Sequence, residues 1–233
     1  MFEIVCSFKI ELTFFNIRFI QTNLFNFENH YLYDVLQLNN SIVKIVLLFL
    51  SIISVLNVLS QSLRDEYYKR ALEFAYINNF DSAIHCFSLV VEVSPKDSIA
   101  YLDRGMMKEF KGDYQGAIDD YSFQLKIDPR NVDGYFLRAM MKDKIGDRKG
   151  AIKDYTRTIH MEESNADAHF LRGIDNVSIK KYKSALKDYN DAILWNSSKA
   201  EYYLRRSELE VVLNQNVSAE KDRKKYLELK SQE

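Results

Sequence analysis

Ala83, Ala117, Ala151, Ala185 and Ala219 stand 34 residues apart. A fixed period of this length confines a chain to stacked copies of one supersecondary unit, because no single unit can bury its apolar face alone. Further rows keep the same interval. An aromatic follows four residues after four of the alanines (Phe87, Tyr121, Tyr155, Tyr189), and Tyr67, Tyr101, Tyr135, His169 and Tyr203 lie upstream. Small residues form another row: Ala71, Gly105, Ala139, Gly173 and Ser207. Small residues on two helices let them approach closely, and an aromatic one turn after the alanine fills the space left on the same face. The unit is therefore predicted to be a helix-turn-helix pair. Gly112-Asp113 and Gly146-Asp147 mark turns inside it, and Pro95 and Pro129 close it.

All seven glycines and both prolines lie from Pro95 onward. So little punctuation argues against a many-stranded protein with tight turns and for a helical one. The rows resemble the tetratricopeptide repeat, most fully in 100–129, which reads AYLDRGMMKEFKGDYQGAIDDYSFQLKIDP. The resemblance implies an all-α chain, an α-solenoid of five helix-turn-helix repeats wound as a right-handed superhelix. The repeats would span 64–97, 98–131, 132–165, 166–199 and 200–233. The pattern departs at Glu163, Ser197 and Ser231, where the proline is missing, and at Arg223, which replaces the last aromatic. The polar run 220–225 suits a final repeat that caps the stack.

Composition narrows function. With 32 basic and 33 acidic residues the net charge is -1, so the chain has no basic excess of the kind a nucleic-acid binder shows, and nucleic acid is not expected as a partner. Two cysteines, Cys6 and Cys86, make neither a disulfide framework nor a thiolate metal site. His30, His85, His160 and His169 lack ligand partners at a recurrent spacing, and His169, in an aromatic's place, reads as packing. No nucleophile elbow, phosphate loop or dinucleotide fingerprint occurs. The expectation is a chain without cofactor or metal that is not an enzyme. Asn176, Asn196 and Asn216 match the glycosylation pattern weakly, and Asn176 should lie inside a helix.

Before the repeats, residues 1–44 show no sustained periodicity and define no element, and a mature protein that lacks them is one expectation. Residues 45–63 carry no charge and begin directly after Lys44. Three uses fit: a membrane anchor of ~20 residues, the apolar part of a signal peptide begun near Val43 and cleaved near Gln61, or a leading helix buried against the first repeat. The first two make the protein membrane-anchored or exported to a periplasm.

Two sets of residues are candidates for a site. Arg70, Arg104, Arg138, Arg172 and Arg206 keep the 34-residue interval, as do Asp120, Asp154, Asp188 and Asp222, with Cys86 in the first unit. Guanidinium forks suit carboxylate ligands, but co-occurring rows of Arg and Asp favour pairing inside the fold, a structural ladder. Arg70, without its aspartate, is then the free guanidinium. The second set is apolar: Tyr68, Leu102, Met106, Phe136, Met140, Phe170 and Ile174 recur on successive first helices. In the repeat family that face lines a concave groove holding a peptide or helix of a partner protein; the alternatives are that these side chains pack between neighbouring helices, and that the chain is a membrane-tethered structural component of a larger assembly without a peptide ligand. Phe136 and Phe170, nearest the middle, are expected to be partly exposed in the groove.

Overall fold

The computed structural model describes residues 41–232. Cys6, His30 and most of the unassigned leader lie outside the described residues. The chain divides into two units, Met1–Ser62 and Leu63–Glu233. Among the described residues there are ten helices and no strand. They are α1 (Ser41–Tyr76), α2 (Phe80–Val93), α3 (Ser98–Phe110), α4 (Tyr114–Ile127), α5 (Val132–Lys144), α6 (Arg148–Met161), α7 (Ala166–Ser178), α8 (Tyr182–Trp195), α9 (Ala200–Val212) and α10 (Asn216–Lys230).

In the first unit, α1 contains an 18-residue window of mean hydropathy 2.3 in which no residue is buried. Ile45, Phe49 and Leu50 are all more than half exposed. By length and composition this helix is sufficient to cross a membrane.

In the second unit, successive helices pair as the rows require. Ala83, Ala117, Ala151 and Ala185 are fully buried, and Phe87, Tyr121, Tyr155 and Tyr189 fill the space beside them. Gly105 shows why the opposing row is small: a Cβ there would lie 2.6 Å from Cε1 of Tyr121. Ala219 is buried too, so the last repeat forms its second helix despite lacking the aromatic.

Helix starts are capped chemically up to the fourth repeat. Asn79, Asp97, Asp113, Asn131, Asp147 and Asn165 each accept a backbone N–H from the first turn of their helix. Each such cap contributes about 0.5–2 kcal/mol. Lys181, Lys199 and Gln215 occupy the same place at α8, α9 and α10 and make no side-chain cap.

Joints between repeats follow their own rule. The residue opening each second helix meets the tenth position of the next first helix. Phe80 and Met107 share one apolar cluster, Tyr114 and Met141 another, Tyr182 and Leu209 a third. Between the third and fourth repeats the pair is Arg148 and Asp175, with Arg148 Nη1 3.1 Å from Asp175 Oδ1.

Candidate functional site

Four of the five arginines of the row are paired with aspartates inside the fold. Arg104 donates from Nε and Nη2 to the two oxygens of Asp120 at 3.0 and 2.6 Å. Arg138 does the same to Asp154 at 2.8 and 2.8 Å, and Arg206 to Asp222 at 2.6 and 2.8 Å. Arg172 reaches Asp188 through Nε at 3.2 Å and Nη2 at 2.6 Å. The aspartates are at most 3% exposed, save Asp222 at 4%. Such carboxylates are stable only when paired and fully hydrogen-bonded.

The remaining guanidinium nitrogen shows a row that the sequence reading missed. Nη1 donates to Ser88 from Arg104, to Ser122 from Arg138, to Thr156 from Arg172 and to Asn190 from Arg206. These acceptors lie on the preceding repeat's second helix, so each arginine ties two repeats together. Their own 34-residue interval was available in the sequence. A second donor also serves three of the aspartates: Lys108, Lys142 and Asn176 reach Asp120, Asp154 and Asp188 at 2.8, 2.7 and 2.8 Å.

Arg70 corrects an expectation. It is not free, since Nη2 lies 2.8 Å from Glu66 Oε1, one turn back on α1. With Cys86 in the aspartate's place, the guanidinium turns to the nearest carboxylate on its own helix.

The apolar row is less open than expected. Phe170 is 8% exposed, with its ring centroid 4.6 Å from that of Tyr202 and 5.7 Å from that of Tyr189. The expected exposure of this ring is therefore wrong: an aromatic on the next first helix, Tyr202, closes over it. Phe136 is half-buried, edge-on to Tyr155 at 5.9 Å. Tyr68 packs edge-on to Phe87 and gives its hydroxyl to Asp103. Met106 and Met140 each touch the clusters of two consecutive repeats, and Leu102 packs beside Tyr121. Much of the row is thus the seam between repeats, a use for which flexible methionine is suited.

Ile174 has a different setting. It borders an open groove of about 310 Å³ together with Val177, Tyr182, Tyr189, Arg205, Glu208, Leu209 and Val212. The walls come from α7, α8 and α9. Val212 is 59% exposed, and Arg205 bridges Glu201 and Glu208 at the polar side. At the other end of the repeats, Phe110 is 61% exposed and stacks on Phe80 at 5.4 Å. Val177 and Val212 were missed because only the i,i+4 pairs were followed; Val177 lies three residues beyond Ile174, on the same helix face.

His169, Asp188 and Asp191 gather within 4.8 Å of one another. His169 Nε2 lies 3.0 Å from the carbonyl of Glu163, and Nδ1 lies 3.7 Å from Asp191. Asp188 already accepts from Arg172 and Asn176, and that guanidinium would repel a cation. The cluster is a poor metal site, and His169, 4% exposed, is packing.

Residues 68–132 match the family model described as tetratricopeptide repeat. No curated protein matches the chain. Among solved structures, "Crystal structure of MamA protein" is 20% identical over 73% of this chain and 93% of that one, with a TM-score of 0.70. "MamA 41-end from Desulfovibrio magneticus RS-1" is 16% identical over 73% and 97%, also at 0.70. "Crystal structure of YrrB: a TPR protein with an unusual peptide-binding site" is 17% identical over 70% and 84%, at 0.63. At these identities the likeness is one of fold.

Proposed function

We propose that this chain, a tetratricopeptide-repeat protein, is a non-enzymatic scaffold that holds an apolar or amphipathic segment of a partner protein in the groove between α7, α8 and α9. The observation that carries this reading is the groove itself. Ile174, Val177 and Val212 offer apolar walls, and Arg205 and Glu208 stand at the edge to fix the orientation of a peptide. The similar structure of YrrB, described as having a peptide-binding site, supports the class of ligand. The partner's helix or strand would insert apolar side chains at helical spacing, as helix-in-groove ligands do.

Capture of cellular proteins on the full-length chain tests this, with Val177→Asp/Val212→Asp as the groove variant. Leu227→Asp, on the exposed side of α10, serves as control. A partner that uses the groove should be lost from the first and retained by the second. Removing a central apolar contact costs ~2 kcal/mol or more, close to a thirtyfold weakening. Equal capture by both variants would remove the groove from consideration.

A second reading concerns the apolar part of α1. We infer that it is a membrane anchor, because it is long and uncharged with its side chains turned outward, and because the helix runs without a break past Gln61. The export alternative needs cleavage there. Alkaline extraction of membranes and N-terminal sequencing separate the two: an intact chain retained in the membrane supports the anchor, and a chain beginning at Ser62 supports export.

A further inference from the structure

The second helices of the repeats differ in the charge they turn outward. At the exposed position next to the helix start, the repeats carry Asp81, Gln115, Lys149 and Lys183, and one turn on His85, Asp119, Lys153 and Lys187. The third and fourth repeats are therefore basic where the first two are acidic or neutral. Lys180 and Lys181 add to this at the start of α8. None of these six lysines is within salt-bridge distance of a carboxylate among the described residues.

No local stabilisation accounts for these cations. The start of a helix carries partial positive charge, so lysines in the first turns of α6 and α8 are repelled by it. Lys181 stands where Asn79, Asp113 and Asp147 cap their helices and makes no cap. Lys180 has φ of 61°, a left-handed conformation that Gly112 and Gly146 adopt in the equivalent turns. Four lysines thus sit where local rules prefer an acid, an amide or a glycine. Residues that break local rules without gain within the fold point to a function outside it.

Apolar side chains complete the face. Lys183, Lys187 and Leu194 share one side of α8, being four and eleven residues apart. Leu194 is 74% exposed, and Trp195 beside it is 45% exposed. Asp191 is the acid on this row, and it leans to His169. Lysines near the start of α8, in line with an exposed leucine near its end and a tryptophan beside it, match a surface of anionic headgroups over acyl chains, where tryptophan prefers the boundary. The same chain carries a stretch able to span a bilayer, so such a surface would be close at hand.

We propose that the outward face of α6 and α8, built on Lys149, Lys153, Lys183 and Lys187 with Leu194 and Trp195, docks on an anionic lipid bilayer. The anchor reading supplies the nearby bilayer, and the face is testable without it.

Trp195 is the sole tryptophan of the chain, so its fluorescence reports this face alone. The full-length protein is mixed with phosphatidylcholine vesicles, with and without phosphatidylserine, some carrying brominated acyl chains. With phosphatidylserine, Trp195 emission should shift to the blue and be quenched by bromine, and high salt should reverse both. Each basic residue at such a surface strengthens binding about fivefold. Lys183→Glu/Lys187→Glu should therefore weaken the response more than tenfold, and Lys149→Glu/Lys153→Glu should do so independently. Circular dichroism confirms that these surface variants fold. Emission that is the same in neutral and anionic vesicles, or unchanged in both variants, overturns the proposal. Alkaline extraction of the same vesicles reads the anchor separately: a chain released by it, yet blue-shifted on anionic lipid, refutes the anchor and keeps the face.

Discussion

Tyr114 and Met141 join the second repeat to the third within an apolar cluster; Arg148 and Asp175 join the third to the fourth 34 residues later. The helices on either side are the same length and meet in the same order. Met141 is fully buried and Asp175 is 1% exposed, so burial at the two joints is also alike. What differs is the cost of the groups buried. An apolar pair gains from leaving water, whereas an ion pair must recover the hydration of both charges through good geometry. At this joint it does so poorly: Asp175 Oδ2 has no hydrogen-bond partner, and Arg148 is shared with Asp143. Burial pushes the Asp175 carboxyl up to about 6, and Arg148 only partly opposes it. The ladder pairs are the opposite case, with every aspartate oxygen met by a cation or amide. A repeat protein thus tolerates polar groups in its core at either extreme, and the two should respond differently to change.

The largest effect is expected in the ladder. Arg172→Ala leaves Asp188 buried with Asn176 as its remaining donor, and loss of one partner of a buried pair costs about 3–5 kcal/mol. Arg70→Ala, which removes only the pair with Glu66 on the surface of α1, should cost under ~1 kcal/mol. Urea unfolding of both variants checks this. Similar losses for the two would mean that the ladder geometry contributes little.

The joint is expected to respond next, and with pH. Asp175 in the folded chain, at about 6, lies above the value near 3.9 of an unfolded aspartate, so the folded state binds its proton more tightly. Its contribution is therefore most favourable below about pH 4 and is lost as pH rises to about 6, by ~3 kcal/mol at most. Arg148→Tyr/Asp175→Met copies the preceding joint and removes that dependence. The melting temperature of the double variant should exceed that of the wild type by a margin that widens from pH 4 to pH 7. A constant or shrinking margin would show that Asp175 does not hold its proton more tightly in the folded chain, and a margin of zero that the Arg148–Asp175 pair is as favourable as the apolar one.

The parts of this design legible in the sequence are those that repeat. Ala151 and Tyr155 could be placed in the core because three other units carry the same pattern, and Arg138 could be paired with Asp154 because two rows rise together. Phe170 could not be placed, because its burial depends on Tyr202, a residue on the following repeat with no aromatic counterpart at that position. Tyr202 stands where the other repeats have Glu66, Ala100, Gly134 and Ala168. The groove beside Ile174 was hidden for the same reason: it arises where three helices fail to fill the space between them, and periodicity describes only what they share. Asp175 occupies a place held by methionine in two repeats, and reading down the column would have marked it.

The smallest effect concerns the end of the ladder, where Glu210 takes the place of Lys108, Lys142 and Asn176. Those three donate to the buried aspartate of their own repeat, but Glu210 cannot. It is 7% exposed, its Oε2 has no hydrogen-bond partner, and burial followed by the charge of Asp222 raises its carboxyl above the usual range. Arg206 alone balances the two acids. Glu210→Lys would place an ammonium where Lys108 and Lys142 lie 2.8 and 2.7 Å from their aspartates, turning a repulsion into an attraction. The expected gain is about 1 kcal/mol at neutral pH, equivalent to ~2–4 °C in melting temperature for a domain of this size. Glu210→Gln should give part of it, since it removes the like charge and adds only a neutral donor. If both substitutions leave the melting temperature unchanged, the cap already relieves Glu210 through solvent, and the last repeat is looser than its buried Ala219 and Asp222 imply. If Glu210→Lys lowers it, the ammonium cannot reach Asp222 past Arg206, and the cap follows a packing rule of its own.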